Sequence, residues 1–451
     1  MTVAPRTARA SGALPLVGHL LPLLRDPLRF LGSLPDQGDL VRVRFGPFAA
    51  VVVCDPQLTR QVLRNDRVFD KTGPAFGRIR ELVGDGLGIC PHSQHRRQRR
   101  LIQPVFHPAQ LPDYARTMTA QIATETSGWR DGDVLQVFTE TQVLAARILV
   151  STMFTEPLPP AVLRQALDDL NILATSIYLR TVLPILGRLP TPGNRRYRQA
   201  RARLYRTLGK IIDDRRRGDT DPGDLLSVLL TAPDPAAEGS GRQLSDKAIT
   251  DEIVMFFGAG ADTTASALAW ALHLVALHPD IERRLHAEVD AVLAGAPATF
   301  DKLPQLELTG RIVTEALRLY PPVWLVARTA TEDTTIGEHA IRAGTNVFYS
   351  SYVIHRRPDL YPDPDRFDPD RWTSENDRQP GREAFIPFAD GARKCIGDRF
   401  AMVEATLALA TIATRWRLHH LPGPTVRPTL AIPMKPRELR MRLEARTVTP
   451  A

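Results

Sequence analysis

The cysteine at position 395 lies in a sequence setting suited to binding a metal ion through sulfur. It stands between Gly391 and Gly397 in the pattern F-x-x-G-x-x-x-C-x-G, which begins at Phe388 and is followed by a helix-like stretch. Glycines permit a tight turn and leave backbone N–H groups free to point at the sulfur. The start of a helix favours a thiolate over a thiol. A lone cysteine is most often a buried packing residue, but this spacing favours a thiolate that serves as the axial ligand of an iron.

A second group of residues with chemical potential lies inside the largely apolar segment 253–277. Gly258 and Gly260 precede Asp262 and Thr263 there. Each glycine weakens a helix by roughly 1 kcal/mol relative to alanine, and a threonine hydroxyl can bond back to an upstream carbonyl. An acid beside an alcohol at such a loosened turn could pass protons to a bound dioxygen species. The alternatives are an ordinary packed helix and a dinucleotide-binding fingerprint, which would need glycine or alanine at position 263 and a preceding strand.

Two further pairs of residues have helical spacing. Glu315 and Arg318 lie three residues apart among apolar neighbours, which favours a buried ion pair over a surface pair of little energetic value. His95 and Arg99 lie one helical turn apart. By themselves, those two fit a solvated basic helix start better than a binding site.

Helical periodicity dominates the chain, with a few short strands near the N-terminus and in the last third. Residues 40–45 alternate apolar and charged before a Gly-Pro turn and a second apolar run at 49–53, which predicts a hairpin. A smaller hairpin is expected within 336–347. No linker is long enough to separate domains. We therefore expect residues 13–451 to form one large domain, mainly α with small β-sheets, after a flexible arm over residues 1–12.

The composition narrows the class of protein. The chain has 451 residues, 43% of them hydrophobic and 24% charged, and its formal net charge of +8 comes almost entirely from arginine. Three widely spaced cysteines exclude a disulfide framework and a C-x-x-C metal ribbon. The longest N-terminal apolar run, 13–24, is shorter than the roughly 20 residues that span a bilayer. We expect a cytoplasmic protein with no membrane span. We expect no nucleic-acid partner, because aromatic residues do not alternate with the basic ones.

These motifs, in this order, resemble the cytochrome P450 superfamily over essentially the whole chain after residue 12. The resemblance implies the P450 fold, with haem b between an oxygen-activation helix and the helix after the cysteine loop. It implies that Cys395 is the iron ligand and that Asp262 and Thr263 deliver protons. The implied structural network is Glu315, Arg318 and Arg371. The residues implied to contact the haem around its iron ligand are His95, Arg99, Arg328, Phe388, Gly391 and Arg393.

The resemblance also implies a reaction, in which one oxygen atom of O2 enters an unactivated bond and the other leaves as water. Two electrons and two protons are needed. The chain has neither a flavin fingerprint nor ferredoxin cysteine spacing, so a ferredoxin and a ferredoxin reductase are the expected carriers of electrons from NAD(P)H. A basic face of Arg96, Arg97, Arg100 and Lys394 could steer an acidic carrier. A monomer is expected.

The positions implied to line the substrate pocket are nearly all apolar, which favours a hydrocarbon-like ligand. They are Phe76, Ile89, Phe257, Ala261, Val323, Trp324, Leu325, Val326 and Ile432. The N-terminal third is similar to actinobacterial terpene oxygenases, so we expect a sesquiterpene-like terpenoid substrate in secondary metabolism. Fatty-acid hydroxylation is the alternative within the fold. A peroxide-using haem-thiolate enzyme would normally lack the acid–alcohol pair, and a non-catalytic haem-binding sensor would need neither that pair nor an apolar pocket.

Overall fold

Helices account for most of the chain in the structure, a computed structural model that describes residues 7–46, 48–154, 158–182, 189–218, 223–233, 243–374, 381 and 383–447. The helices in these residues are α1 Leu20–Arg25, α2 Pro27–Gly32, α3 Pro56–Arg64, α4 Pro74–Val83, α5 His92–Ile102, α6 Leu111–Ser127, α7 Val137–Met153, α8 Pro160–Val182, α9 Pro192–Arg217, α10 Leu225–Thr231, α11 Asp246–Leu277, α12 Pro279–Leu293, α13 Glu307–Leu319, α14 Ser351–Ile354 and α15 Asp398–Arg415.

The longest helix, α11, runs for 32 residues through the middle of the fold. The Ser245 side chain caps its start by accepting the Ala248 N–H, and it ends before Pro279, where the sequence predicts a break. It packs against α7, α9, α13 and α15. In the described part of the chain it is the one helix long and apolar enough to cross a membrane, and 72% of its most apolar window is buried inside the protein.

Short strands form three small sheets at the edge of the helices. The strands are β1 Ala8–Arg9, β2 Leu40–Phe45, β3 Phe48–Val53, β4 Phe69–Asp70, β5 Val134–Gln136, β6 Val326–Ala330, β7 Thr334–Ile336, β8 His339–Ile341, β9 Asn346–Tyr349, β10 Trp416–His420 and β11 Arg440–Ala445. Their orders are β1-β2-β3-β9-β6-β4, β10-β11-β5 and β7-β8. The hairpin predicted over 40–53 is present, with Leu40 opposite Val53.

The start of the described chain differs from the flexible arm expected over residues 1–12. Ala8 and Arg9 pair in parallel with β2, and the Ala10 N–H donates to the Arg42 carbonyl oxygen at 2.9 Å. These backbone bonds make β1 the edge strand of the six-stranded sheet. Residues 1–6 of the predicted arm lie outside the described residues.

One large hydrophobic core joins the helices. It contains buried side chains from α5 through α13, from α15 and from β10 and β11. A smaller cluster packs beneath the six-stranded sheet against α2. The prediction of a mainly α fold with small sheets in a single domain is confirmed. In this fold α11 and α15, which carry the two principal motifs, lie in direct contact.

Candidate active site

The cysteine loop is a tight turn that docks on α3. Cys395 donates its backbone N–H to the Phe388 carbonyl oxygen at 2.9 Å, just before α15 begins. Gly391 has a φ of +72°, and a Cβ there would lie 2.6 Å from the carbonyl oxygen of Leu63. Glycine is therefore required where the loop meets α3. The sequence analysis assigns Gly391 to the cofactor, whereas the structure places it against the α3 backbone.

Cys395 is the accessible one of the three cysteines. Cys54 and Cys90 are buried, and burial raises the pKa of their thiols to about 12 and about 11. The Cys395 side chain is exposed, yet surrounding protein atoms desolvate its sulfur and raise its pKa, while the Gly397 N–H and the Arg99 charge oppose that rise. Desolvation thus outweighs the helix-start effect expected from the sequence. A coordinated metal deprotonates such a thiol, so the accessible sulfur fits an iron ligand.

Asp262 and Thr263 occupy different sides of α11. The Thr263 hydroxyl donates to the Ala259 carbonyl oxygen at 2.6 Å, one turn back along the helix. The Asp262 carboxylate is buried and accepts a hydrogen bond of 2.6 Å from the Gln142 side-chain amide of α7. Burial raises the pKa of Asp262, and the Gln142 hydrogen bond and the Lys435 charge lower it. The acid is held between helices, while the alcohol stays half-buried.

Gly260 serves close helix packing, whereas Gly258 has room for a side-chain carbon. A Cβ at Gly260 would lie 3.1 Å from a methyl carbon of Leu149 on α7, and one at Gly258 would lie 3.7 Å from Leu170 on α8. The segment is helical throughout, since α11 begins at Asp246, twelve residues before Gly258. These facts exclude the dinucleotide-binding alternative, which needs a strand before its glycines.

Phe106 links the cysteine loop to α11. Its ring stacks on Phe256 of α11 with centroids 5.5 Å apart, and it meets the Phe400 ring of α15 edge-on. Gly397, two residues after the cysteine, lies against the same ring. An aromatic contact therefore fixes the spacing between the two segments that carry chemistry.

Four basic side chains, which we call the cation cluster, lie near one another beside the ring of His95: Lys71, Arg99, Arg328 and Arg393. Burial, and then the charges of Arg393, Lys71 and Arg99, lower the pKa of His95 to about 3. Burial and the neighbouring arginines also lower the pKa of Lys71, and burial and Arg393 lower that of Arg328. Buried like charges need compensating anions. Asp66 and Asp70 provide part of that compensation by pairing with Arg393, and the two carboxylates of a haem would provide the rest.

Lys71 is a member of this cluster that the sequence analysis missed. Asp70 is paired with Thr329 in the β4–β6 register, so Lys71 comes to lie beside Arg328. Its ammonium donates to the Gly88 carbonyl oxygen. The available signal was its rarity, since the chain has lysine at only six positions.

Arg393 is held by acids that the sequence analysis did not assign. It donates to the Asp66 and Asp70 carboxylates at 3.2 and 2.9 Å and to the Cys90 carbonyl oxygen at 2.6 Å. Only 1% of its side chain is exposed. The sequence expectation was a contact with a haem carboxylate, whereas the structure pairs Arg393 with these two acids. In this arrangement the arginine fastens the cysteine loop to the β4 segment.

The expected network of Glu315, Arg318 and Arg371 is assembled in the structure. Arg318 makes two hydrogen bonds of 2.8 Å to Glu315, and both side chains are fully buried. Arg371 reaches the same carboxylate at 3.4 Å, and the Trp372 indole N–H donates to it at 2.8 Å. Because this site is buried, removing Glu315 would leave Arg318 and Arg371 without the carboxylate that they share.

His355, to which the sequence analysis gave no role, joins this network to the approach of the cysteine loop. Its Nδ1 lies 3.1 Å from the Arg318 carbonyl oxygen, and its Nε2 accepts the Ile386 N–H at 3.0 Å. Burial lowers the pKa of His355 to about 3. The ring is therefore neutral at physiological pH and acts as a fixed spacer.

The residues implied to line the pocket divide by exposure. Phe76, Phe257 and Ala261 are buried, Ile432 is 54% exposed, and Phe388 of the cysteine loop is half-buried against the large core. The half-buried members are Ile89, Val323, Leu325 and Val326. Trp324 differs from the expectation: it packs in the cluster beneath the six-stranded sheet, and its indole N–H donates to the Ala431 carbonyl oxygen at 3.0 Å. It is a packing residue.

An accessible cysteine before a helix, an acid–alcohol pair on the neighbouring helix and a group of buried cations are the features expected of a haem-thiolate oxygenase. The chain belongs to the cytochrome P450 family, whose model matches residues 10–441. The haem domain of cytochrome P450DA, a solved structure, is 28% identical and superposes with a TM-score of 0.86, covering 99% of both chains.

Two relatives from Streptomyces are more similar in sequence. Cyclooctat-9-en-7-ol 5-monooxygenase of Streptomyces melanosporofaciens is 44% identical over 422 residues, or 93% of this chain and 91% of the relative. Pentalenene oxygenase of Streptomyces avermitilis is 44% identical over 440 residues, or 97% of each chain. This protein is therefore a cytochrome P450 monooxygenase, a haem enzyme that uses O2.

Proposed function

We propose that this P450 inserts one oxygen atom of O2 into the carbon skeleton of a terpenoid in secondary metabolism. The observation that carries the proposal is the 44% identity, over more than nine-tenths of both chains, to two oxygenases named for pentalenene and cyclooctat-9-en-7-ol. The apolar character of the expected pocket positions supports a hydrocarbon-like substrate.

The residues present fit a haem. Cys395 would hold the iron through its sulfur, and Lys71, Arg99 and Arg328 would bind the haem carboxylates. When bound, the thiolate-ligated haem supplies the activation of dioxygen. The protein itself binds and orients the substrate, excludes water and delivers protons.

Thr263 and Asp262 are suited to holding and moving protons. The Thr263 hydroxyl has one proton and donates it in a hydrogen bond to the Ala259 carbonyl oxygen. Breaking that hydrogen bond frees the hydroxyl to donate to another acceptor. Burial raises the pKa of Asp262, which makes its carboxyl a better proton carrier near neutral pH than an exposed aspartate. Together they form an acid–alcohol pair at a single turn of α11.

Electrons would come from a ferredoxin and its reductase in the cytoplasm. Arg96, Arg97 and Arg100 are exposed on α5, and Lys394 is exposed in the cysteine loop. Arg99 of α5 donates to the Lys394 carbonyl oxygen, so α5 and the cysteine loop are adjacent. A basic face beside the iron ligand would attract an acidic carrier in a salt-dependent manner.

The function is tested by titrating the purified haem-loaded enzyme with cyclic terpenes, fatty acids and macrolides while following the haem spin-state spectrum. We expect a saturable shift with terpenes and a dissociation constant about tenfold weaker in Ile432→Ala. Leu277→Ala, which truncates an equally exposed side chain at the end of α11, is the matched control and should bind normally. A tight fatty-acid response without any terpene response would contradict the proposal.

A further inference from the structure

Asp262 lies at one end of a chain of hydrogen bonds that begins at a lysine. Lys435 Nζ donates to Asn171 Oδ1 at 3.2 Å, and Asn171 Nδ2 donates to Gln142 Oε1 at 3.4 Å. Gln142 Nε2 then donates to Asp262 Oδ1 at 2.6 Å. The four side chains come from four separate parts of the fold: the segment before β11, α8, α7 and α11.

The donor-to-acceptor direction of this series of hydrogen bonds is set by the groups at its two ends. An ammonium group can only donate, so Asn171 must present its oxygen to Lys435 and its NH2 to Gln142. The Gln142 oxygen then accepts, which leaves its NH2 for the carboxylate, a group that can only accept when ionised. Aligned hydrogen bonds of this kind polarise one another. The cation therefore strengthens the last donor without touching the acid.

The position of Lys435 is fixed by its neighbour in sequence. The Met434 carbonyl oxygen accepts hydrogen bonds from Ser266 Oγ at 2.6 Å and from Trp270 Nε1 at 2.9 Å, both on α11. Ser266 stands one turn after Asp262, so this anchor holds the lysine beside the acid. The ammonium also lies 4.4 Å from the Phe138 ring centroid, a favourable cation–π position.

Of the charged side chains on the surrounding helices, Asp169 and Arg147 have partners of their own. On α8, Asp169 pairs with Arg203, and on α7, Arg147 pairs with Glu125. Burial and the Glu125 charge raise the pKa of Glu140 of α7, and the Arg164 charge lowers it. On α15, Glu404 lines a cavity with Thr264 and Ala265 of α11. Lys435 is the charged group whose field acts on Asp262.

We propose that Lys435 is a positioning residue for proton delivery, acting through the amides of Asn171 and Gln142 to orient and stabilise the Asp262 carboxylate. This inference rests on the proton-delivery role proposed for Asp262, and it is independent of which substrate the enzyme oxidises. Lys435 itself touches neither haem nor substrate in this role.

The test follows the protonation of Asp262 directly, by infrared spectroscopy of the carboxyl C=O stretch in the substrate-free ferric enzyme across a pH series. The Asp262→Asn variant assigns the band. Lys435→Met and Asn171→Leu should each move the midpoint upward by about one pKa unit, because the ionised acid loses its aligned donor. Lys435→Arg keeps a donating cation and should restore most of the original midpoint.

Lys247→Met is the matched control, since that lysine pairs with Asp251 on the same helix and should leave the Asp262 band unchanged. An unchanged midpoint in both Lys435→Met and Asn171→Leu would overturn the proposal, and so would an equal shift in Lys435→Arg. Since the band is read without substrate, failure of the terpenoid assignment does not alter this result. The band could shift as expected in Lys435→Met and Asn171→Leu while Asp262→Asn still forms as much product per NAD(P)H as the parental enzyme. That result would instead refute the proton-delivery role of Asp262.

Discussion

Arg99 Nη1 donates a 2.6 Å hydrogen bond to the carbonyl oxygen of Lys394, the residue immediately before Cys395, the proposed iron ligand. The bond joins α5 to the cysteine loop across 295 positions of sequence. The same guanidinium belongs to the cation cluster that faces the expected haem carboxylates. One side chain therefore both positions the ligand loop and adds positive charge at the cofactor site.

Arg99→Met should weaken haem retention while leaving the fold intact. Loss of one charge-assisted hydrogen bond costs about 1.5–3 kcal/mol, which corresponds to roughly tenfold or more in the rate of haem loss. The measurement is transfer of haem to an excess of apomyoglobin. Arg100→Met removes the neighbouring exposed arginine and should lose haem at the parental rate; equal rates in the two variants would contradict the role of Arg99.

Cys395→Ser should abolish the thiolate-type absorption of the reduced carbon monoxide complex. The hydroxyl is a far weaker ligand than a thiolate, so any haem that remains bound would have a different axial environment. Cys54→Ala, at a buried cysteine whose pKa is raised to about 12, is the control and should keep the absorption. Retention of the signal in Cys395→Ser would disprove the ligand assignment.

Thr263→Ala should retain haem and substrate binding but divert electrons to hydrogen peroxide. The variant removes the hydroxyl that now bonds to Ala259 and leaves the α11 backbone unchanged. We expect product formed per NAD(P)H consumed to fall about tenfold or more, the scale of a lost proton-transfer group. Thr264→Ala deletes the adjacent hydroxyl and should remain coupled. Equal coupling in both variants would remove Thr263 from the proton path.

Glu315→Gln should destabilise the fold strongly. The substitution leaves Arg318 and Arg371 without their shared carboxylate in a buried site, and breaking a buried pair costs about 3–5 kcal/mol. Asp370→Asn breaks the exposed pair with Arg284 nearby, where about 1 kcal/mol or less is expected. Urea unfolding measures both, and similar losses in the two variants would contradict the central place of Glu315.

Acid sensitivity should depend on His355. Burial lowers its pKa to about 3 in the folded state, so between the ordinary value near 6.5 and 3 the unfolded chain binds a proton that the folded chain does not. The free energy of unfolding therefore falls as pH drops through this window, by up to about 1.4 kcal/mol per pH unit. His355→Gln keeps a donor and an acceptor, and should show a shallower slope in urea unfolding. Identical slopes in His355→Gln and the parental protein would refute the assignment.

The helices, strands and turns were predicted well from the sequence, because residue periodicity, glycines and prolines within each segment largely determine them. The alternation over 40–53 produced the hairpin, and the break before Pro279 ended α11. The glycine spacing around Cys395 predicted the tight turn that precedes α15. The three-residue spacing of Glu315 and Arg318 likewise anticipated a buried pair.

Such local patterns could not predict contacts between segments that lie far apart in the sequence. The partners of Arg393 lie 327 and 323 positions earlier in the chain, so nothing near the cysteine loop announces them. The sequence assigned Gly391 to the cofactor, whereas its close approach to the α3 backbone is visible only in the folded chain. Trp324 lay among pocket positions, but its direction depends on how β9 and the C-terminal segment pack around it.

Incubation of the haem-loaded enzyme with a cyclic terpene, ferredoxin, reductase and NAD(P)H under isotopically labelled O2 tests the central claim most directly. We expect a terpenoid product that carries one labelled oxygen atom, with no label when only the water is labelled. Oxygen derived from water, or labelling of a fatty acid with none in any terpene, would contradict the function proposed here.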